Sequence, residues 1–266
     1  MIGIFDSGLG GLLVMRQIVH RLPQYDYLYL GDTLHVPYGN RSDEAVYELT
    51  RKACDFLFSH GCQLIILACN TATAKALPRL QQEYLPTKQK TGEERILGVV
   101  RPLAEYVAGK EFENVGVIGT RGTIKSKVYV KEIKKLNEKI KVHGQAAPLL
   151  VPLIEEGWSQ SDPAREILRD YLKMLKLNEV QSLVLGCTHY AAMLPAIRDE
   201  MLDCVVPDPG EIIADSLADY LQRHIELESQ LGKNNHKEFF VTDLTDNFVK
   251  IANQFWGEEI NINKIN

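Results

Sequence analysis

The sequence predicts an α/β protein built on parallel sheets, and three observations carry that prediction. Short apolar runs rich in Ile, Val and Leu alternate with longer amphipathic stretches, the pattern of strand–helix–strand units whose sheets are covered by helices on both faces. At 266 residues, 45% of them apolar, the chain is long enough to bury two moderate cores, so two halves are expected. Two of the apolar runs also end alike: "QLIILACNTA" (63–72) and "QSLVLGCTHY" (181–190) each close on a small residue and a cysteine, with a threonine nearby and a plausible helix beyond.

In chain order, "IGIF" (2–5) is the first strand, and it runs into Asp6, Ser7 and a glycine turn. "YLYLG" (27–31) is the second and "LIILAC" (64–69) the third, both oily enough to lie inside a sheet. The polar segment "LPTKQKTGEER" (85–95) carries Pro and Gly and reads as a surface loop near a domain crossing. "ILGVV" (96–100) and "VGVIG" (115–119) resume the strand pattern. The lysine-rich 125–141 segment places Val128, Ile133, Leu136 and Ile140 at roughly helical spacing, so it reads as a helix with a solvated basic face rather than a nucleic-acid patch. "LVPLIEEG" (150–157) is a further apolar run ending on Glu155 and Glu156. "SLVLGC" (182–187) is another strand, and polar residues 229–238 separate the last long helix from a final strand-like "FFVT" (239–242).

Thirty basic against thirty-five acidic residues leave a net charge of −5, which favours neither nucleic acid nor an anionic membrane as partner. The chain opens directly into a strand-like run without a basic start, and no apolar run approaches membrane-spanning length, so a soluble cytoplasmic protein is expected. Five cysteines, an odd count with no C-x-x-C pair, point to reduced thiols rather than a disulfide framework. Only Cys187 and His189 in "CTH" make even a loose ligand pair, too few for a zinc site, and no metal is expected.

In open parallel sheets ligands sit beyond the carboxyl ends of the strands, which puts Cys69 and Cys187 at ligand-binding positions. A following helix N-terminus would lower a thiol pKa toward neutrality, so either cysteine could act as a base. Two such thiols suit proton abstraction on one face of a carbon with delivery on the other, their roles exchanging when the reaction reverses. Asp6 would share the carboxyl edge of the Cys69 sheet, while His189, Glu155 and Glu156 could assist Cys187. Cys54, Cys62 and Cys204 read as small buried hydrophobes. "GLGGLL" (8–13) has Leu13 where a dinucleotide fingerprint needs its third glycine, and Asp6 would repel a pyrophosphate, although Asp32 imitates the ribose-binding acid. Ser7 does not sit in a G-x-S-x-G elbow, so a hydrolase nucleophile is not indicated.

Taken together, "GIFDSGLGG", "YLGDTLHVPYGNRS", "ILACNTA", "VGVIGTRGTI", "VPLIEEG", "LGCTHY" and "FFVTDLTDNF" resemble the cofactor-independent glutamate racemases, in family order and over most of the chain. The resemblance implies two similar α/β domains, residues 1–97 with 209–266 and residues 98–208, with the active site in the cleft between them. It implies interconversion of L- and D-glutamate without a cofactor, serving peptidoglycan synthesis, and a homodimer. Cys69 and Cys187 would be the two proton donors and acceptors, Asp6 assisting the first and Glu155 with His189 the second. Substrate contacts would fall on Asp6, Ser7, Tyr38, Gly39, Asn70, Thr71, Thr120, Thr123, Thr188 and His189. Such a pocket holds two carboxylates with neutral donors rather than a guanidinium. Aspartate racemases of the superfamily tend to carry an acidic residue after the second C-T, where this chain has His189, which favours glutamate. Arg101, where relatives often have glutamate, and a longer 87–94 loop are the departures from the family pattern.

Overall fold

The apolar runs become strands buried on both faces. In a computed structural model, which describes residues 1–88 and 94–265, two parallel sheets are covered by helices. The first half carries β1 (Ile2–Asp6), α1 (Gly11–Arg21), β2 (Tyr27–Gly31), two short 3-10 turns (Thr33–His35 and Tyr38–Asn40), α2 (Asp43–Ser59), β3 (Leu64–Leu67) and α3 (Asn70–Lys75). The helical path continues as α4 (Leu77–Arg79), a π turn (Leu80–Tyr84) and α5 (Leu85–Lys88), then β4 (Arg95–Gly98) and α6 (Val100–Ala108). The second half holds β5 (Asn114–Gly119), α7 (Arg121–Ser126), α8 (Val128–Leu136), β6 (Lys141–Ala146), α9 (Leu150–Glu155), α10 (Asp162–Leu177), β7 (Ser182–Gly186), a 3-10 turn (Thr188–Met193) and α11 (Leu194–Glu200). The chain returns through α12 (Pro209–Arg223) and α13 (Ile225–Glu228) to β8 (Lys237–Val241), α14 (Asp246–Trp256) and β9 (Ile262–Lys264).

Six strands pair in the order β4-β3-β1-β2-β8-β9 and three in the order β6-β5-β7, every pair parallel. The sheets are unequal, yet β3-β1-β2 of one is matched by β7-β5-β6 of the other: a central strand flanked on one side by the strand that leads to a cysteine. Val205 bridges Ser182 beside β7 as β4 lies beside β3, and α6 and α12 follow these matched positions and pack together. The largest buried cluster runs through both sheets, joining Ile2 and Ile4 of β1 and Ile18 of α1 to Leu183 and Leu185 of β7 and Leu172 of α10. Each such side chain removed from water contributes about 1.5–3 kcal/mol, and the shared core holds the sheets in one body.

Four expectations need correction, the smallest being Cys204, which is half-buried at the end of a turn rather than a buried hydrophobe. Residues 85–88 are helical and Leu85 is buried, because the helical path after α3 runs further than the Pro and polar residues suggest; the rest of the expected loop, 89–93, lies outside the described residues. The lysine-rich segment is not one helix: Lys127 takes a left-handed conformation (φ 55°) that separates α7 from α8, and Ile140 is buried in the turn before β6. β6 and β9 carry no contiguous apolar run, since both are sheet edges and largely wet. Arg101 is half exposed and bridges Glu105 and Glu132, tying α6 to α8.

Candidate active site

Four strand ends from two sheets meet around one small cavity of about 40 Å³. β1 delivers Asp6 and Ser7, β3 leads to Cys69 and Asn70, β5 to Thr120, and β7 to Cys187 and Thr188. Ser7, Tyr38, Gly39, Cys69, Asn70, Thr71, Thr120, Glu155, Cys187, Thr188 and His189 line it, so both thiols face the same space, one from each sheet. Asp6 and Thr123 stand just behind the wall and do not line it.

Around Cys69, the thiol donates to Ser7 Oγ at 3.3 Å, and the sulfur accepts the Ala72 N–H at 3.4 Å as the N-cap of α3. The helix N-terminus is therefore where the sequence places it, but its effect is outweighed. Burial, and then the charge of Asp6, push the Cys69 thiol up to about 12, while the Ser7 and Ala72 hydrogen bonds only partly oppose them. The expected lowering toward neutrality does not occur at this buried thiol. Asp6 is itself fully buried; its carboxyl accepts the Gly8 N–H at 3.0 Å and the Thr188 hydroxyl at 3.3 Å. Burial raises its pKa, against the nearby His189 and these hydrogen bonds.

Cys187 is followed by a 3-10 turn rather than an α-helix, and its sulfur makes no cap hydrogen bond. Its partner is His189, with Nδ1 at 4.0 Å from the sulfur, and His189 Nε2 lies 2.9 Å from Glu155 Oε1. Burial alone would lower the imidazole pKa; the hydrogen bonds and negative charge of Cys187 and Glu155 prevail and hold it well above the ordinary histidine range. Glu155 is the inward carboxylate and Glu156 is exposed, because the last turn of α9 points only one of two successive residues at the cavity.

The walls are tied across the two sheets. Thr71 Oγ1 lies 2.9 Å from Thr120 Oγ1 and 3.2 Å from Thr123 Oγ1, and the Tyr129 hydroxyl donates to Asn70 Oδ1 at 2.5 Å. Tyr38 donates to Asp32 Oδ2 at 2.6 Å, so its ring is structural; Asp32 also accepts from Thr242, which leaves it no ribose-binding role. The glycine turn serves close approach: a Cβ on Gly10 would stand 2.5 Å from both His189 Nδ1 and Thr188 Oγ1, and one on Gly39 would stand 2.8 Å from Thr120 Cβ. Val36, Pro37 and Val151 add apolar wall that sequence reasoning missed, for isolated apolar residues in loops and short helices carry no periodic signal. Tyr129 was missed too, submerged in a segment whose lysines dominate its pattern. Among the described residues no three His, Cys, Asp or Glu side chains converge as metal ligands, and no helix is long and apolar enough to cross a membrane.

Comparison with known proteins places this geometry in context. A family model described as Asp/Glu/Hydantoin racemase matches residues 10–217. The glutamate racemase of Geobacter metallireducens is 40% identical over 262 residues, covering 97% of this chain and 93% of its own. The crystal structure of glutamate racemase from Francisella tularensis in complex with D-glutamate superposes with a TM-score of 0.89 at 30% identity, covering 100% of this chain and 97% of that one. Glutamate racemase isoform RacE1 from Bacillus anthracis gives 0.90 at 31% identity, with 100% and 97% covered.

Proposed function

The chain belongs to the Asp/Glu/Hydantoin racemase family, and from that premise we propose that it is a glutamate racemase, exchanging the Cα proton of L- and D-glutamate between Cys69 and Cys187 without a cofactor. The observation that carries this reading is the pair of thiols lining one cavity from opposite sheets. In one direction the thiolate of the first cysteine takes the Cα proton while the thiol of the second returns a proton to the opposite face; the reverse reaction exchanges the roles. The substrate brings its own ammonium, a positive charge that favours a thiolate beside it and so offsets the burial that holds Cys69 protonated. On the other side the His189–Glu155 pair supplies a proton or stabilises the Cys187 thiolate.

The Ser7 and Thr71 hydroxyls, the Asn70 amide and the backbone at Tyr38–Gly39 would receive the two substrate carboxylates, while Thr188, whose hydroxyl proton goes to Asp6, lines the wall and Thr123 holds Thr71 from behind. In this reading residues 1–97 with 209–266 and residues 98–208 are the two domains, and D-glutamate would serve peptidoglycan synthesis. The cavity, about 40 Å³, is small for an amino acid, and in this reading its walls part to admit one.

The test is to incubate the protein with L- or D-glutamate in heavy water without pyridoxal phosphate, with aspartate alongside. The expected result is deuterium at Cα of the opposite enantiomer, a faster rate on glutamate, and approach to equal amounts of the two. Cys69→Ala and Cys187→Ala should each lower racemisation by at least about 10²–10⁴-fold while leaving the circular dichroism unchanged; substantial activity in either variant would sink the two-thiol assignment.

A further inference from the structure

We propose that Tyr129 is a positioning residue for the Cα exchange: by donating its hydroxyl to Asn70 Oδ1 it turns the Asn70 amide nitrogen into the cavity, where that N–H binds a substrate carboxylate. This rests on the racemase reading above. Tyr129 touches the chain next to both cysteines. Its hydroxyl reaches Asn70, the residue after Cys69, and its ring lies against Gly186, the residue before Cys187, so closely that a Cβ there would stand 3.2 Å from Tyr129 Cε2. The side chain is 3% exposed, and Asn70 is the only hydrogen-bond partner of its hydroxyl among the described residues.

A phenol has one proton to give. Buried here it gives it to Asn70 Oδ1, and the planar amide must then present Nδ2 on its other edge, as a donor rather than an acceptor. An anionic carboxylate requires a donor; a flipped amide would offer it a carbonyl oxygen instead. The ring cannot drift, because it is clamped among Val100, Leu103, Val117, Ile133 and Val184 at the start of α8. Burial and the neighbouring Cys187 also raise the phenol pKa, which keeps the proton in place to be donated. The hydrogen bond joins α8 of the second half to α3 of the first, so the amide is oriented from the opposite side of the cleft.

The experiment is a double-mutant cycle on Tyr129→Phe and Asn70→Ala in the full chain, reading D-glutamate affinity by calorimetric titration and racemisation by circular dichroism. Phenylalanine keeps the ring and its packing, so the fold is retained, and binding is readable even where turnover is slow. For Tyr129→Phe we expect affinity for D-glutamate to fall about tenfold, the value of one hydrogen bond to a charged ligand, while kcat at saturation stays within a factor of about 3. In the Asn70→Ala background the same substitution should change nothing further. Unaltered affinity in Tyr129→Phe, or an equal loss in both backgrounds, would overturn the proposal. Absence of glutamate turnover in the unsubstituted protein would instead overturn the racemase reading, so the two failures are distinguishable.

Discussion

At the residue scale the chemistry lies in how burial and partners shift each group. Cys69 shows the competition: a helix N-terminus favours its thiolate, yet burial and the Asp6 carboxylate hold the thiol protonated until a cation arrives. Asp6 carries a consequence for stability. Its folded pKa is raised above the ordinary 3.8, by burial against the opposing pull of His189, Gly8, Gly11 and Thr188. A carboxyl raised in this way contributes stability that is fully present below the unfolded value and is lost as pH rises through the folded one. Asn at this position does not titrate. The Tm of Asp6→Asn minus that of the unsubstituted protein should therefore grow as pH climbs from about 3.8 toward neutrality. A difference that stays flat over a pH series of thermal melts would contradict the raised pKa.

At the element scale the site is an affair of strand ends and the turns that follow them. Parallel strands point their carboxyl ends the same way, so the residues after β1, β3, β5 and β7 gather at one seam once the sheets face each other. The turn at residues 8–11 then has to pass against the Thr188–His189 turn, and Gly10 is what allows it. Gly10→Ala should cost about 1–3 kcal/mol, the usual penalty of overpacking, or else push the His189 turn away from Glu155. Thermal unfolding together with kcat/KM would register one effect or the other, and a variant with both unchanged would remove the close-approach role. These strands and the residues at their ends were legible in the sequence, because a strand buried on both faces needs a contiguous apolar run. β6 was not: it is a half-wet edge strand, and "KVHGQA" reads as loop. Nor was the break at Lys127, a left-handed residue with none of the usual Gly or Asn to announce it.

On the scale of the whole molecule, two unequal sheets share one core while their facing ends leave a small cavity. D-Glutamate held at 100 times its Kd should raise the unfolding free energy by about 2.7 kcal/mol and slow amide exchange where the walls meet, at residues 38–39, 70–71 and 120–123. Calorimetry and hydrogen exchange would check both; a ligand that stabilises without protecting those segments must bind elsewhere. What the sequence by itself determined is the parallel α/β plan and the placing of Cys69 and Cys187 at strand ends, since these follow from local runs and from their immediate neighbours. Only the tertiary structure decided which side chains meet across the seam: Tyr129 with Asn70, 59 residues apart, and Thr188 with Asp6, 182 apart. It also chose Glu155 over Glu156. Contacts at such separations have no sequence period, because they are fixed by how two sheets settle on a common core rather than by the conformational preference of either segment.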